Sequence, residues 1–509
     1  MKAINIKTIM KYYHLFISGC MCGLLAACSP DSAKVTEWVT TTYENPWETK
    51  TENNFPDSQS DSIVIIDPVQ TDQTIEGFGS CFNEKGWESL SKLDSAVRDS
   101  IFKELYTAAG GNFTIGRMPI GANDFSLDWY SYNETDKDFE MKDFSVSHDE
   151  QTLIPFIQAV LKYNPDMKLW ASPWCPPSWM KVNKHYACSA SIAWTKNMKS
   201  PKDKPAEKKV NSNPLRFRMH PVDNGLKENM QIKEGTDGFI LDESYLKAYA
   251  LYFGKFIDAY KEHGINISMV MPQNEPNSSQ PYPSCCWTYT GLGKFIKYLG
   301  PEMNKRNVEI FAGTVERPNP ALVDTLLSDP ACSTYIKGCG FQWAGKHALP
   351  LIRKKYPQLS YYQTEQECGN GLNNWEGAMY SWNLMKYYLE NGVNTYMYWN
   401  TSLLEGGVSR WGWCQNSLIT VNDSTNTFKF TPEYYILKHV SHYVLPNAKR
   451  IITGGNYKNV LAFINEDGSI PVVATNPSNK EYAISLIINN QPITVDLPAH
   501  SINTLVIKP

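Results

Sequence analysis

Eight short, apolar, β-rich runs recur along the middle of the chain, and longer segments with helical periodicity separate them. The runs are EGFGSCF from Glu76, NFTIGRMPI from Asn112, MKLWASPW from Met167, NISMVMPQNEP from Asn266, VEIFAGTVE from Val308, IKGCGFQWA from Ile336, LSYYQTEQE from Leu359 and NTYMYWNTS from Asn394. Strands that alternate with helices favour a parallel sheet with right-handed crossovers. Eight such units within residues 72–443 predict an α/β fold, a closed (β/α)8 TIM barrel rather than an open sheet.

The segments between these runs carry the predicted helices. The 3.6-residue period is clearest in Ser244–His263, where apolar residues recur along one face. The remaining predicted helices are Ser91–Thr107, Glu150–Lys162, Gly291–Lys305, Pro320–Leu327, Leu349–Tyr356, Trp375–Asn391 and Pro432–Tyr443. A long basic insert, Lys181–Asp242, follows the third run, and in this architecture the loops after the strands build the active site.

The last part of the chain, residues 444–509, has a different pattern. Polar and apolar residues alternate with period two, and the turn signals Glu466-Asp467-Gly468 and Asn489-Asn490 interrupt the runs. This pattern predicts an appended antiparallel β-sandwich. The short apolar run within residues 61–71 has no partner in the barrel, so we expect it to join the sandwich, which both termini would then build.

The first 28 residues have the features of an export signal. Lys2, Lys7 and Lys11 precede an apolar stretch that is too short to span a membrane, and the stretch closes with Leu25-Ala26-Ala27-Cys28. This ending resembles a bacterial lipoprotein signal, which is cleaved before a lipidated Cys28; a plain secretory signal is the alternative. Residues 29–60 are rich in Ser, Thr, Asn, Asp and Pro and predict a tether with one strand around Glu37–Thr42. We therefore expect an exported protein, lipid-anchored to a bacterial outer membrane.

Charge and composition narrow the classes of ligand. The formal net charge is −4 and the pI is near 6.2, so the chain lacks the basic field that nucleic-acid binding requires. Aromatic residues reach 13%, which suits either a large aromatic core or ligands with flat, weakly polar faces such as sugar rings. HExxH and CxxC motifs are absent, and none of the nine histidines pairs with another at a metal-ligand spacing. We expect no metal and no cofactor.

Two strand ends carry acidic residues. In a (β/α)8 barrel, the polar residues at the C-terminal ends of the strands form the catalytic set by default. The fourth run ends in Asn274-Glu275-Pro276 and the seventh in Glu365-Gln366-Glu367. Glycosidic cleavage needs two facing carboxyl groups, one to protonate the leaving oxygen and one to attack the anomeric carbon or activate water.

The alternative for each glutamate is a solvated or ion-paired side chain. Period-two alternation directs Glu365 and Glu367 the same way, and Glu367 is the second choice on this strand.

Other candidates lie at the same strand ends. The aromatic ones are Trp174, Tyr282, Trp287, Trp343 and Trp399. These rings either stack on sugars or pack the end of the barrel. Asp124 and Arg117 follow the second strand; Asp124 is expected to bind sugar hydroxyls and Arg117 to keep a nucleophilic carboxylate ionised, the alternative being an ion pair between the two.

The motifs EGFGSCF, GRMPIGANDFS, ASPWCPPSWMK, NEP, TEQECG and YWNTSLLEGG resemble, in this order, those of glycoside hydrolase family 30. That family includes lysosomal glucosylceramidase and microbial β-1,6-glucanases, and the resemblance extends from about Ile63 to the C-terminus. It implies a (β/α)8 barrel with a β-sandwich built from both termini. It also implies hydrolysis with retention of configuration through a covalent glycosyl-enzyme.

The resemblance assigns roles to individual residues. Glu275 corresponds to the acid/base, its pKa expected to be raised by the nearby carboxylate, and Glu365 corresponds to the nucleophile, with Arg117 in support. The residues expected to bind the sugar are Asp124, Trp174, Asn274, Tyr282, Gln342, Trp343 and Trp399. Gln342 stands where glucosylceramidase has histidine, which favours the glucanase branch over a ceramide substrate.

The resemblance therefore predicts an endo-β-1,6-glucanase whose partner is a polysaccharide or oligosaccharide substrate. A glucosylceramidase-like enzyme and an exo-acting β-glucosidase or β-xylosidase are the alternatives within the family. A non-catalytic glycan-binding surface lipoprotein on the same scaffold is the alternative of another class. It would keep the aromatic residues and lose one of the two carboxylates, both of which are present here.

Overall fold

The computed structural model describes residues 34–50, 60–191, 218–220 and 222–508. The predicted signal segment with Cys28, and residues 29–33 and 51–59 of the predicted tether, lie outside these ranges. Within the described part of the chain, every helix is too short or too polar to cross a membrane.

Eight parallel strands close into a barrel, as the sequence predicted. They are Gly77–Cys81, Ile115–Pro119, Lys168–Ser172, Ile267–Val270, Glu309–Val315, Ile336–Gln342, Ser360–Glu365 and Thr395–Asn400. Each of the eight predicted runs contributes one strand, and the eighth pairs with the first to complete the ring. Burial on both faces explains why these runs are almost continuously apolar rather than alternating.

Helices surround the barrel close to the predicted positions. They are Glu84–Leu90, Ser95–Tyr106, Leu153–Leu161, Glu243–Glu262, Tyr289–Asn304, Ala321–Leu327, Pro330–Ser333, Leu349–Lys355, Trp375–Glu390 and Pro432–Ser441. Single 3-10 turns occupy Asp149–Gln151, Ser178–Met180, Glu228–Met230 and Trp343–His347. Side-chain caps fix four of the starts among the described helices, and two of them flank the site-bearing strands: Thr288 accepts a hydrogen bond from the Gly291 amide, and Asn374 accepts one from the Gly377 amide.

A register shift lies between the sixth and seventh strands. Phe341 pairs with Gln363, but the next residue, Gln342, pairs with Glu365, so that Thr364 is the extra residue of a bulge. Bulges redirect side chains at the rims of barrels. This one places Gln342 directly beside Glu365.

The β-sandwich consists of two sheets. The first contains, in spatial order, Glu48–Thr49, Lys34–Thr42, Ser501–Lys508, Ile470–Asn476, Val460–Ile464, Lys449–Ile451 and Thr71–Thr74. The second contains Gly454–Gly455, Ile63–Ile66, Tyr482–Ile488 and Gln491–Leu497. Alternate residues such as Val472, Leu486 and Leu505 are buried between the sheets. The sandwich is confirmed, with one parallel pairing, between Ile63–Ile66 and Tyr482–Ile488.

Much of the predicted tether is instead part of the sandwich, which corrects the sequence analysis. Lys34–Thr42 pairs antiparallel with Ser501–Lys508 along its length. Farther on, the ring of Trp47 lies 4.8 Å from that of His439, on the last barrel helix. The predicted strand around Glu37–Thr42 was therefore too short. The polar Thr and Glu residues suggested a solvated linker, but Val35 and the four consecutive residues 38–41, two of them threonines, are buried.

Small sheets extend the loops above the barrel. Ser402–Leu404, Ile419–Asn422 and Thr427–Phe430 form one of them, after the eighth strand. The other pairs Arg218–Met219, from the long insert after the third strand, with Trp413–Cys414. The second sheet brings Trp413 to the mouth of the barrel, where it lines a cavity beside Glu275.

Candidate active site

Glu275 and Glu365 lie at the same end of the barrel. Glu365 is the last residue of the seventh strand, whereas Glu275 lies in the loop after the fourth strand. Thr314 of the fifth strand fixes that loop, because its hydroxyl accepts a hydrogen bond of 2.9 Å from the Glu275 amide. Glu275 has a φ of +46° and Trp343 a φ of +47°. Left-handed backbone is strained for such side chains and clusters at functional sites.

The side-chain amide of Gln342 joins the two carboxyl groups. Its Nε2 lies 3.0 Å from Glu275 Oε1 and 3.3 Å from Glu365 Oε2. These two oxygens share one donor, so they lie at most about 6 Å apart, two hydrogen-bond lengths placed end to end. A retaining pair of carboxyl groups is separated by about 5–5.5 Å and an inverting pair by about 6.5–9.5 Å. The spacing fits direct attack by one carboxylate better than insertion of a water molecule.

Arg117 is the fixed cation of the site. It is fully buried, and its Nη1 forms an ion pair of 3.0 Å with Glu365 Oε2. Its Nη2 donates to Ser172 Oγ at 3.1 Å and to Asn274 Oδ1 at 2.7 Å. The guanidinium carbon also lies 4.5–5.3 Å from the ring centres of three tryptophans, namely Trp170, Trp174 and Trp399. The alternative ion pair between Arg117 and Asp124 is not formed among the described residues.

Asn274 has its orientation set by three donors. Arg117, Thr314 and Gln342 all donate to its Oδ1, at 2.7, 3.0 and 3.3 Å. An arginine can only donate, so the atom it contacts must be the carbonyl oxygen. The amide nitrogen of Asn274 is thereby left as a donor for a ligand.

Burial governs the protonation of the acidic groups. It raises the pKa of Glu275, and the hydrogen bond from Gln342 and the charge of Arg317 oppose that rise. The expected cause, a neighbouring carboxylate, is therefore corrected to desolvation. Burial and the charge of Glu275 raise the pKa of Asp124 to about 7. Burial, with the charges of Asp124 and Glu275 adding to it, raises the pKa of Glu365 well above its usual range, and the ion pair with Arg117 opposes that rise.

Glu367 does not share the site with Glu365, contrary to the simple alternation. Its Oε1 forms an ion pair of 2.7 Å with Lys346, and its Oε2 accepts a hydrogen bond of 2.6 Å from Tyr380. The seventh strand ends at Glu365, so the two-residue period no longer applies beyond it. Glu367 therefore forms a buried, structural ion pair with Lys346.

The predicted aromatic residues separate into three groups. Trp174 and Trp399 are buried and stack on each other, with ring centres 5.0 Å apart, beside Arg117. Tyr282 and Trp343 instead line a cavity of about 290 Å³ that includes Glu275. Trp287 packs in the core against Phe239, with ring centres 4.7 Å apart. Asp124 is buried, and its Oδ1 has no hydrogen-bond partner in the described part of the chain.

Sequence reasoning missed part of the site. Glu316 and Arg317 follow the fifth strand and line the same cavity, together with Gln280 and Trp413. The signal was present, because Glu316 is the last residue of the fifth apolar run, and the rule that selected Glu275 and Glu365 applies to it equally. Trp413 had no such signal, since only the pairing with the long insert brings it to the mouth.

Known proteins share this architecture over nearly the whole chain. An endo-β-1,6-glucanase of known structure superposes with a TM-score of 0.72 and 25% identity, covering 93% of this chain and 99% of that one. SrfJ from Salmonella typhimurium has the same fold, with a TM-score of 0.77, 21% identity and the same coverage. An endo-1,6-β-D-glucanase of Aspergillus fumigatus is 24% identical over 89% of each chain. The lysosomal acid glucosylceramidase of Mus musculus is 24% identical over 83% of this chain and 79% of that protein.

Family models match both domains of the chain. The TIM-barrel domain model of glycosyl hydrolase family 30 matches residues 75–201 and 221–444. The β-sandwich domain model of the same family matches residues 447–505. These matches cover well over half of the sequence, in the order in which the structure arranges the domains. The chain therefore belongs to glycosyl hydrolase family 30.

Proposed function

We propose that this protein is a retaining β-glycoside hydrolase that cleaves β-1,6-glucan internally, with Glu365 as the nucleophile and Glu275 as the acid/base. One observation carries the proposal: a single amide nitrogen, Nε2 of Gln342, lies within hydrogen-bond distance of both carboxyl groups. The two groups thus face one small space, as cleavage of an acetal requires.

In the first step, a Glu365 oxygen forms a bond to the anomeric carbon while the bond to the leaving oxygen breaks. Glu275 gives its proton to that oxygen. The position of Arg117 supports this division of labour, because its ion pair with Glu365 favours the ionised nucleophile. Glu275 has no cation within ion-pair distance in the described part of the chain, and burial raises its pKa, which keeps a proton available for the leaving oxygen. In the second step, Glu275 takes a proton from water, the water oxygen bonds to the anomeric carbon, and the Glu365 carboxylate departs.

Neighbouring residues would hold the sugar that is attacked. The amide nitrogen of Asn274 is available to the 2-hydroxyl, next to the anomeric carbon, because its carbonyl oxygen already accepts three hydrogen bonds. The unpartnered Oδ1 of Asp124 is suited to the other hydroxyls. Trp174 and Trp399 enclose Arg117 and exclude water from the ion pair with Glu365.

The names of the relatives support β-1,6-glucan as the substrate, since endo-1,6-β-glucanases match most of the chain in sequence and in structure. Glucosylceramidases match a similar share, so a glucosylceramidase-like activity is the second candidate, together with exo-acting β-glucosidase or β-xylosidase activity. Incubation with β-1,6-, β-1,3- and β-1,4-glucans, xylan and glucosylceramide, followed by product analysis over time, tests this choice. Oligosaccharides of mixed length from β-1,6-glucan alone are expected. Release of only monosaccharide, or cleavage of the lipid alone, would reject endo-β-1,6 action.

The roles of the two glutamates are tested by azide rescue of E365A and E275A on an aryl β-glucoside. Both variants are expected to lose turnover by orders of magnitude. Azide should restore E365A with formation of the α-glycosyl azide, because the anion replaces the nucleophile. It should restore E275A with formation of the β-glycosyl azide, because the anion attacks the glycosyl-enzyme. Wild-type-like turnover by either variant, or the opposite anomers, would overturn the assignment. E309A, at the exposed start of the fifth strand, serves as the control.

The same measurements test the alternatives of other classes. A non-catalytic glycan-binding protein would bind the glucans without releasing products. A metal-dependent hydrolase would lose activity with a chelator, whereas unchanged turnover is expected here.

We also propose export and lipid anchoring at Cys28, on the strength of the lysines and the Leu-Ala-Ala-Cys ending of residues 1–28. In a bacterial host, the full chain should fractionate with membranes and incorporate labelled fatty acid. C28A should do neither, and labelling of C28A would contradict the proposal.

A further inference from the structure

We infer that Glu316, together with Gln280, binds the hydroxyl groups of the sugar on the leaving-group side of Glu275 and so selects a carbohydrate leaving group over a lipid one. This inference rests on the proposed function, because it names what lies beyond the bond that Glu275 protonates.

Glu316 forms hydrogen bonds to the loop that carries Glu275. It follows directly after the fifth barrel strand, and it is 1% exposed. Its Oε1 accepts hydrogen bonds from the Asn277 amide at 2.7 Å and from Ser278 Oγ at 3.1 Å. These two partners are two and three residues beyond Glu275 in the chain, so the contacts fix the Glu316 carboxyl group next to the loop that carries Glu275.

The other carboxyl oxygen of Glu316 forms no hydrogen bond within the described part of the chain. Its Oε2 is buried and has no hydrogen-bond partner among the described residues. The same holds for Oε1 of Gln280, whose Nε2 lies 3.5 Å from Glu275 Oε2. Buried polar atoms without a partner are uncommon because each costs about 1–3 kcal/mol. Two of them in the lining of one cavity are the acceptors that sugar hydroxyls would satisfy.

The cavity lies on the correct side of the site. Its volume is about 290 Å³, and its lining includes Glu275 but neither Glu365 nor Asp124. An acid/base must reach the oxygen of the leaving group, so space next to Glu275 and away from the nucleophile is leaving-group space. Tyr282, Trp343 and Trp413 form the aromatic part of the wall, with ring centres of Tyr282 and Trp413 5.7 Å apart.

A second cavity has one lining residue in common with the first. It has a volume of about 590 Å³ and shares Gln280 with the first cavity. Its lining is mostly polar, consisting of Ser189, Glu228, Asn229, Gln231, Ile232, Lys233, Glu234, Ser279 and Gln280. The acyl and sphingoid chains of a ceramide need an apolar groove, whereas a chain of sugars suits a polar one.

Protonation makes Glu316 suitable for hydroxyl groups. Burial, with the charge of Glu275 adding to it, raises the pKa of Glu316 to about 8, and Arg317 opposes that rise. A carboxylic acid both donates and accepts hydrogen bonds, as a sugar hydroxyl does. The carboxyl can therefore bind a neutral ligand near pH 7 without leaving a buried charge unpaired.

The test measures how the glycosyl-enzyme partitions between acceptors. An aryl β-glucoside loads the enzyme, and the ratio of transfer product to hydrolysis product is read with glucose, gentiobiose or 1-hexanol as the acceptor. The ratio does not depend on how much of a variant is folded. E316A and E316L, which lack both the donor and the acceptor, should lower the ratio for the two sugars by about 10-fold or more, the loss of one or two hydrogen bonds to a ligand, and leave the hexanol ratio within about twofold. E309Q, at the exposed start of the same strand, is the matched control.

Equal changes for sugar and hexanol acceptors, or unchanged sugar ratios in both variants, would overturn the inference and leave Glu316 a structural residue of the loop. The proposed function is judged separately. If the wild-type enzyme does not cleave β-1,6-glucan, that linkage assignment fails, while the acceptor ratios with the aryl glucoside still report on the sugar subsite.

Discussion

Replacement of Gln342 by leucine removes the one amide that contacts both carboxyl groups while keeping the size of the side chain. Gln342 Nε2 contacts Glu275 at 3.0 Å and Glu365 at 3.3 Å, and its Oε1 accepts from Thr364 at 2.9 Å. A hydrogen bond to a charged group contributes about 1.5–3 kcal/mol. Since one donor serves both carboxylates, we count it once and expect kcat/KM to fall by about 10- to 150-fold.

The pH profile separates this effect from a general loss of structure. Burial raises the pKa of Glu275 and the hydrogen bond from Gln342 lowers it, so that Q342L should raise this pKa further. An acid/base must be protonated in the first step, and the basic limb of the kcat/KM profile should therefore move to higher pH. The assay is the initial rate of aryl β-glucoside hydrolysis at subsaturating substrate across the pH range, with thermal unfolding of each variant measured in parallel.

Q342H is the rescue variant. An imidazole keeps a ring N–H donor at this position, so activity should recover relative to Q342L and the basic limb should return towards that of the wild type. A Q342L enzyme with unchanged kcat/KM, or a basic limb that moves to lower pH, would refute the reasoning. So would an equal loss in both variants.

Three further perturbations probe separate parts of the molecule. E367Q leaves Lys346 buried without its counter-charge, which should destabilise the protein by about 3 kcal/mol or more. The kcat of the folded fraction should stay unchanged, and a loss of kcat without a drop in Tm would contradict this. Lysine cannot reach the acceptors that Arg117 holds, so R117K should lower kcat/KM by at least about 100-fold, checked on the aryl glucoside. Burial lowers the pKa of His439 to about 3, and because the unfolded chain binds this proton below about pH 6.5, stability should fall by up to about 1.4 kcal/mol per pH unit between pH 6.5 and 3. H439Q should flatten that dependence in urea unfolding at pH 7 and 4.5, and an unchanged slope would reject the assignment.

The barrel was predictable because its strands are buried on both faces. Most of these strands are therefore largely apolar without period-two alternation, and the helices between strands have an apolar face with period 3.6, so both signals are local. The strand Lys34–Thr42 gave a weaker signal because six of its nine residues are polar, and only Glu37–Thr42 was predicted as a strand, within a segment interpreted as a tether.

The acidic residues of the site followed from their places at strand ends, and Arg117 was the expected partner of the nucleophile, but the contacts of Gln342 and Glu367 were not predicted. Gln342 reaches Glu365 through a bulge that adds Thr364 to the seventh strand, and one extra residue has no signature in composition or periodicity. The same limit applies to Glu367, which lies beyond the end of the strand and turns to Lys346. Sequence patterns thus located the carboxyl groups. The hydrogen bonds from Gln342 to both of them depend on the local backbone path, which these patterns do not encode.

The first described strand, Lys34–Thr42, lies between Glu48–Thr49 and the last strand, Ser501–Lys508. Its neighbour in the sheet is thus synthesised more than 450 residues later, and the sandwich cannot close until translation is nearly finished. There is also a mechanical consequence. A pulling force applied at the N-terminal end of this strand is carried first by its ladder of hydrogen bonds to Ser501–Lys508, so the load enters through the sandwich, and the carboxyl pair at the mouth of the barrel is not in its direct path.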